Sequence, residues 1–166
     1  MVSDASAYRD FVSARLDGLR RTAYLLCGDW HTADDLVSTA LVKLLRHWRR
    51  VSAMEQPDAY VRRMLLRAWL DERRRPWRRE HATAVLPPAR TSIVDPTERL
   101  AVLALLAELP PRRRAVLVLR YFCDLSVEET ARTLGCTTGT VKSQTARALQ
   151  ALRARLVGVP GPEKEA

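Results

Sequence analysis

The chain has 166 residues, room for one medium domain or two small ones. With 47% hydrophobic, 28% charged and 6% aromatic residues it is too apolar to be disordered throughout, and six Gly and nine Pro exclude collagen-like or low-complexity character. Its 28 Lys and Arg outweigh 19 Asp and Glu, a formal charge of +9 that points to a polyanionic partner, nucleic acid before membrane.

Of those cations only Lys43, Lys142 and Lys164 are lysine. A GC-rich genome also enriches Arg, but Arg is the better reader of phosphates and base edges because its planar fork donates two parallel hydrogen bonds. No run of 18 apolar residues exists, so no membrane insertion is expected. Met1-Val2-Ser3-Asp4-Ala5 lacks the basic-then-apolar shape of a signal peptide, and a cytoplasmic location is the expectation. Cys27, Cys123 and Cys136 are scattered, form no C-x-x-C and have no nearby His pair. They read as small buried hydrophobes rather than a zinc or redox centre.

Helical periodicity runs through nearly every segment, and no convincing alternating strand pattern appears. Ala5 to Cys27 carries Tyr8, Phe11, Val12, Leu16, Leu19, Ala23 and Leu26 on one face, and Gly28 follows as a C-terminal glycine should. Asp29 and Thr32 offer caps for a second helix, Ala33 to about Trp48, with Leu36, Val37, Ala40, Leu41, Leu44, Leu45 and Trp48 inward. A loop from Arg49 to Gln56 precedes Pro57, at the first turn of a third helix that reaches Arg75 and is ended by Pro76. Residues 76–94 lose periodicity and hold three prolines, which predicts a flexible linker and a domain boundary.

Beyond it, Asp95-Pro96-Thr97-Glu98 starts a helix to Glu108 that presents Leu100, Leu103, Ala104 and Leu106. Leu109-Pro110-Pro111 breaks it, and Arg112 to Phe122 forms the next. Ser126-Val127-Glu128-Glu129 is a capping box for a short helix stopped by Gly135. Thr137 or Thr138 caps the last helix, to about Leu156, and the remainder is an expected frayed tail. The expectation is an all-α protein of two small domains, residues 1–75 and 95–157, joined by the linker 76–94 and followed by a disordered tail, 158–166. The first is a three- to four-helix bundle and the second a helix-turn-helix bundle.

Two features carry chemistry. Leu125 to Leu152 reads as a helix-turn-helix, with Val127, Ala131 and Leu134 of its first helix and Val141, Ala148 and Leu152 of its second facing inward. The second helix offers Thr138, Thr140, Lys142, Ser143, Gln144 and Arg147 outward, hydroxyls and cations suited to a major groove. The same pattern fits an ordinary helical hairpin with a solvated face. The other feature is a run from Arg62 to Arg79 with eight Arg against Asp71 and Glu72, interleaved with Trp69 and Trp77. Cations with aromatic faces suit strand-separated DNA, although Trp69 by itself reads as a core residue.

Four blocks stand in order across residues 8–156: Gly28-Asp29 with Ala33-Asp34-Asp35-Leu36-Val37; Pro57 with Ala59-Tyr60-Val61-Arg62-Arg63; Leu109-Pro110-Pro111-Arg112-Arg113-Arg114-Ala115-Val116-Leu117; and Leu125-Ser126, Glu129-Thr130-Ala131, Leu134-Gly135-Cys136 and Gly139-Thr140-Val141-Lys142-Ser143. In these the chain resembles the extracytoplasmic-function (group IV) sigma factors of bacterial RNA polymerase, near an actinobacterial sigma-E-like subgroup. The resemblance implies a region 2 domain that docks on the beta-prime clamp and melts the −10 element. It implies a region 4 domain that binds the −35 element and the beta flap. By position it implies polymerase contact at Asp34, Asp35, Leu36, Val37 and Lys43, and a −10 base pocket in Val51 to Gln56. The same carry-over puts Arg62, Arg63, Arg67, Arg74 and Arg75 on the −10 and spacer side, and Arg120, Thr138, Thr140, Lys142, Ser143 and Arg147 on the −35 side. Core RNA polymerase and promoter DNA are the implied partners, and an anti-sigma factor is a candidate third; no cofactor or metal is expected.

The chain departs from the family where Ser38-Thr39 replace a common Gln-Glu, so polymerase affinity leans on Asp34 and Asp35. Arg67 replaces a frequent Asn, which shifts that position from base capture to phosphate attraction. A stand-alone helix-turn-helix regulator would need a dimerisation helix to read two half-sites, and would leave residues 8–75 unexplained. An enzyme would need clustered carboxylates or a His/Asp pair, whereas the acidic residues are dispersed and His31, His47 and His81 share no motif.

Overall fold

The computed structural model describes residues 4–74 and 96–157, and all regular structure among them is helical. The expected linker 76–94, the tail 158–166 and Arg75 lie outside the described residues. The helices are α1 (Asp4–Cys27), α2 (Trp30–Arg46), α3 (Trp48–Ser52), α4 (Pro57–Arg74), α5 (Pro96–Glu108), α6 (Pro111–Leu117), α7 (Val127–Leu134) and α8 (Thr138–Val157).

The first four pack into one bundle in which α2 lies against both α1 and α4. α1 ends where the Gly28 N–H donates to the Tyr24 carbonyl at 2.7 Å, with Gly28 at φ +88, a conformation that costs Gly little and other residues more. One residue on, the Asp29 carboxylate accepts from the Thr32 N–H at 2.8 Å. Asp29 rather than Thr32 is therefore the cap, and α2 begins three residues earlier than its apolar pattern suggested. The buried stripe of α2 is Ala33, Leu36, Val37, Ala40 and Leu44, at the three- and four-residue steps of an amphipathic helix.

Two expectations for this bundle are corrected. The stretch after Trp48 is not all loop, because α3 forms there and inserts Trp48 and Val51 into the core beside Tyr8 and Phe11. Leu45 and Leu16 point outward, at 55% and 36% exposure. The inward stripe of α2 passes from Ala40 to Leu44, and Leu45 falls about 100° off it.

In the second group α8 crosses α6 and α7. Two small buried clusters hold it together: Leu106, Leu109, Leu117 and Ala148, and Val116, Ala131 and Val141. In α5, Leu103 and Leu106 face inward as expected, but Leu100 and Ala104 are exposed. After α6 the helix widens into one π-turn, Val118–Phe122, where the Cys123 N–H reaches the Val118 carbonyl at 3.0 Å. The wide turn leaves Tyr121 and Phe122 exposed.

The two groups share one core. Leu103, Ala115, Val118, Leu119 and Leu125 of the second belong to the same buried cluster as the residues of α1, α2 and α4.

Candidate nucleic-acid and polymerase interface

The helix-turn-helix is built by local chemistry. Ser126 Oγ accepts from the Glu129 N–H at 3.1 Å, and the Glu129 carboxylate accepts from the Ser126 N–H at 2.8 Å, so two of the orphan donors at the start of α7 are satisfied. That N–H holds the Glu129 carboxyl below the usual carboxylate range. Gly135, at φ +65, ends α7 in the left-handed region. Thr137 Oγ1 then accepts from the Thr140 N–H at 3.1 Å and caps α8. Val141 and Ala148, both at 0% exposure, pin α8 to the body.

With those residues inward, Thr138, Lys142, Ser143 and Arg147 all lie exposed on the outer side of α8. Thr140 is half-buried, its hydroxyl 2.9 Å from that of Thr137, and the Ser143 hydroxyl donates to the Thr140 carbonyl at 3.0 Å. Lys142 and Arg147 are thus the free cations of this face. Arg120 stands apart: half-buried, it donates to the Leu125 carbonyl and braces the turn before α7.

In the first bundle the residues grouped by resemblance separate by exposure. Leu36 and Val37, at 4% and 3%, are core residues that position α2 and cannot meet a partner. Asp34 is held by a forked Arg20 pair at 2.6 and 3.1 Å. Asp35 and Lys43 remain on the outer face, together with Ser38, Thr39 and two residues that sequence reading missed, Val42 at 52% and Leu45 at 55% exposure. Two exposed apolar side chains among polar ones give this face something to bury. The signal was in the sequence, since α2 carries more apolar residues than a single stripe can hold.

On α4, Arg67 and Arg74 are exposed, while Arg62 and Arg63 are half-buried against the second group. Arg63 donates to the Arg132 carbonyl, and Nε of Arg62 is buried without a partner. Trp69 is 1% exposed, so it is core as read, with Arg73 over its ring at 5.6 Å. In the segment 51–56, Val51 is fully buried and only the part from Ser52 onward is accessible. α4 is anchored at its start by Asp58, which Arg15 of α1 grips with two hydrogen bonds and holds well below the usual carboxylate range.

The thiols offer little chemistry. Burial pushes Cys27 up to about 11 and raises Cys123 as well, which disfavours the reactive thiolate.

Comparison with known proteins fits this geometry. The pattern described as Sigma-70 region 2 matches residues 11–79, and that described as Sigma-70, region 4 matches residues 99–152. The chain is 39% identical over 153 residues to the RNA polymerase sigma-E factor of Streptomyces avermitilis, covering 90% of this chain and 84% of that one. It is 38% identical to the factor of the same description from Streptomyces coelicolor, covering 90% and 86%. Among solved structures it is similar in fold to the sigma factor RpoE of Bartonella quintana, crystallised with the anti-sigma factor NepR, with a TM-score of 0.76, 22% identity and coverage of 93% and 99%.

Proposed function

We propose, from the premise that this chain belongs to the extracytoplasmic-function sigma factors of the sigma-E-like type, the residues through which it does their work. The chain is an initiation factor, not an enzyme: it binds core RNA polymerase and directs promoter-specific transcription. Its assignment of residues to polymerase and promoter follows from exposure and charge.

The outer face of α2, with Asp35, Val42, Lys43 and Leu45, docks on core polymerase. Leu36 and Val37 hold that helix in place, and Asp34 acts through its pair with Arg20. Arg67 and Arg74 attract the phosphates of the −10 and spacer DNA; Arg62, Arg63 and Arg75 belong to the same side of the promoter. Ser52 to Gln56 supply the accessible part of the −10 base pocket. On α8, Thr138, Thr140, Lys142, Ser143 and Arg147 face the −35 element, and Arg120 positions α7 beneath it. Residues 1–75 and 95–157 form the two domains. No described helix is long and apolar enough to cross a membrane; the factor works with polymerase in the cytoplasm. An anti-sigma factor is a further partner, as in the Bartonella complex.

The observation that carries this reading is the exposed, basic face of α8 in a helix-turn-helix whose two helices are each capped at the start. Lys142 and Arg147 are five residues apart, about 140° around the helix, so they straddle a groove with one nearer the bases and one nearer phosphate. Lys142→Ala should change the ranking of −35 variants in run-off transcription, because a lost base contact costs about 1–3 kcal/mol at one position. Arg147→Ala should lower all variants alike and reduce the salt slope by about one unit. An unchanged ranking for Lys142→Ala would remove it from base readout.

A further inference from the structure

The segment from Ser52 to Gln56 joins α3 to α4, and none of its side chains is fully buried. Its last core anchor is Val51, at 0% exposure. The Met54 N–H donates to the Val51 carbonyl at 3.0 Å and closes one turn, and the Tyr60 N–H reaches the Gln56 carbonyl at 3.4 Å. With so little of the segment packed on the body, the shape it presents depends on how its two ends are held, the residues of α3 before it and the first turn of α4 after it.

Arg15 of α1 reaches both ends. Its Nε and Nη2 fork onto the two oxygens of Asp58, the second residue of α4, Nη2 at 3.0 Å. Its remaining nitrogen, Nη1, donates to the Phe11 carbonyl one turn back on α1 at 3.3 Å, and the guanidinium carbon lies 3.9 Å from the centre of the Phe11 ring. That ring packs on Trp48, the first residue of α3, with 5.1 Å between centroids. Asp58, Arg15, Phe11 and Trp48 thus form a path from α4 through α1 to α3 that closes a ring around the segment. A direct bridge runs beside it: Arg50 of α3 donates from Nη2 to the Tyr60 hydroxyl of α4 at 3.2 Å. A forked guanidinium–carboxylate pair fixes orientation as well as distance, which a single hydrogen bond does not.

We propose that Arg15 is a positioning residue for −10 recognition, holding the start of α4 in register with α3 so that Ser52 to Gln56 keep the shape that takes a −10 base. The inference rests on the −10 reading given under the proposed function, and Arg15 belongs to none of the residues assigned there to polymerase or DNA. The Arg15 and Asp58 side chains are 35% and 42% exposed, so their pair adds little to the stability of the whole fold. Its effect is local. A segment already held in its binding shape need not be ordered when it takes a base, and its preference among bases is expressed in full. Without the fork the first turn of α4 shifts against α3, and the segment samples shapes that accept right and wrong bases alike.

The test is run-off transcription with the full chain and core polymerase on a promoter and on derivatives with single-base changes in the −10 or the −35 element. The ratio of transcript from the parent promoter to transcript from a derivative measures discrimination at that element. For Arg15→Gln the −10 ratio should fall at least about three-fold, part of what one lost base contact costs, while the −35 ratio and the urea midpoint stay close to those of the wild type. Asp58→Asn should lower the −10 ratio as much, and the double variant no further, because both changes remove one pair. Should Arg15→Gln fail to fold, Asp58→Asn, which keeps size and polarity, carries the same test. The brace is overturned if the −10 ratio stays at its wild-type value in these variants while Glu55→Ala with Gln56→Ala lowers it. A fall of the −10 and −35 ratios together would also overturn it, since that is the mark of a general structural defect. If Glu55→Ala with Gln56→Ala itself leaves the −10 ratio unchanged, the −10 reading is lost and the brace with it.

Discussion

Val42 and Leu45 are one helical step of three apart on α2, so they share a surface. They are 52% and 55% exposed in the free chain. Fully burying a Val or Leu side chain contributes about 1.5–3 kcal/mol, and roughly half of each remains to be buried on docking, which gives about 1 kcal/mol apiece. Replacing both by Ser should therefore cost core polymerase affinity about 2 kcal/mol, about a 30-fold rise in Kd. Stability should fall by no more than about 1 kcal/mol per site, because roughly half of each side chain is already covered in the free chain. Competition titration of a labelled chain against core polymerase, paired with urea unfolding of the free protein, reads both quantities. An unchanged Kd would refute the placement of α2 on polymerase. A stability loss well above about 2 kcal/mol for the pair would refute the claim that these side chains are half-exposed surface residues.

Leu44 is fully buried beside half-exposed Leu45, so Leu44→Ala should lose about 2–5 kcal/mol in denaturant unfolding where Leu45→Ala loses no more than about 1 kcal/mol. Ser126→Ala breaks the reciprocal cap of α7 and should cost about 1 kcal/mol, a fall of about 2–4 °C in Tm by calorimetry. Asp58 has its carboxyl lowered chiefly by the Arg15 hydrogen bonds. Its contribution to stability is complete above the unfolded-state value near 4 and is lost as pH falls through the lower folded value. Asp58→Asn should flatten the acid limb of a stability–pH curve below about pH 4, and the idea fails if that limb is as steep as in the wild type.

Local rules made most of the skeleton legible. Asp29, Ser126 with Glu129, Gly28 and Gly135 are terminus signals whose partners lie within four residues, and each does in the structure what its position implies. Trp69 is buried, as its place on the apolar face of α4 implies. Orientation at the edge of an apolar stripe was less legible, since Leu16, Leu45 and Leu100 fit a helical period yet face out. Whether such a residue is covered depends on a neighbour far along the chain. The same holds for charge. In Arg112-Arg113-Arg114 nothing nearby distinguishes the third, yet Arg112 is exposed and Arg114 is buried. Its partner, the Leu25 carbonyl, is 89 residues away. The functional face of α2 was blurred for a related reason: the resemblance identified the helix, but only packing separates Leu36 and Val37 from Asp35, Val42 and Leu45.

Run-off transcription tests the central claim most directly. Purified core polymerase, given this chain and a library of promoter fragments from its own genome, should yield transcripts from a defined subset that share −35 and −10 sequences, and none without the chain. Tight binding of the chain alone to duplex operators, with no transcript when core polymerase is added, would contradict the account and identify a stand-alone regulator instead.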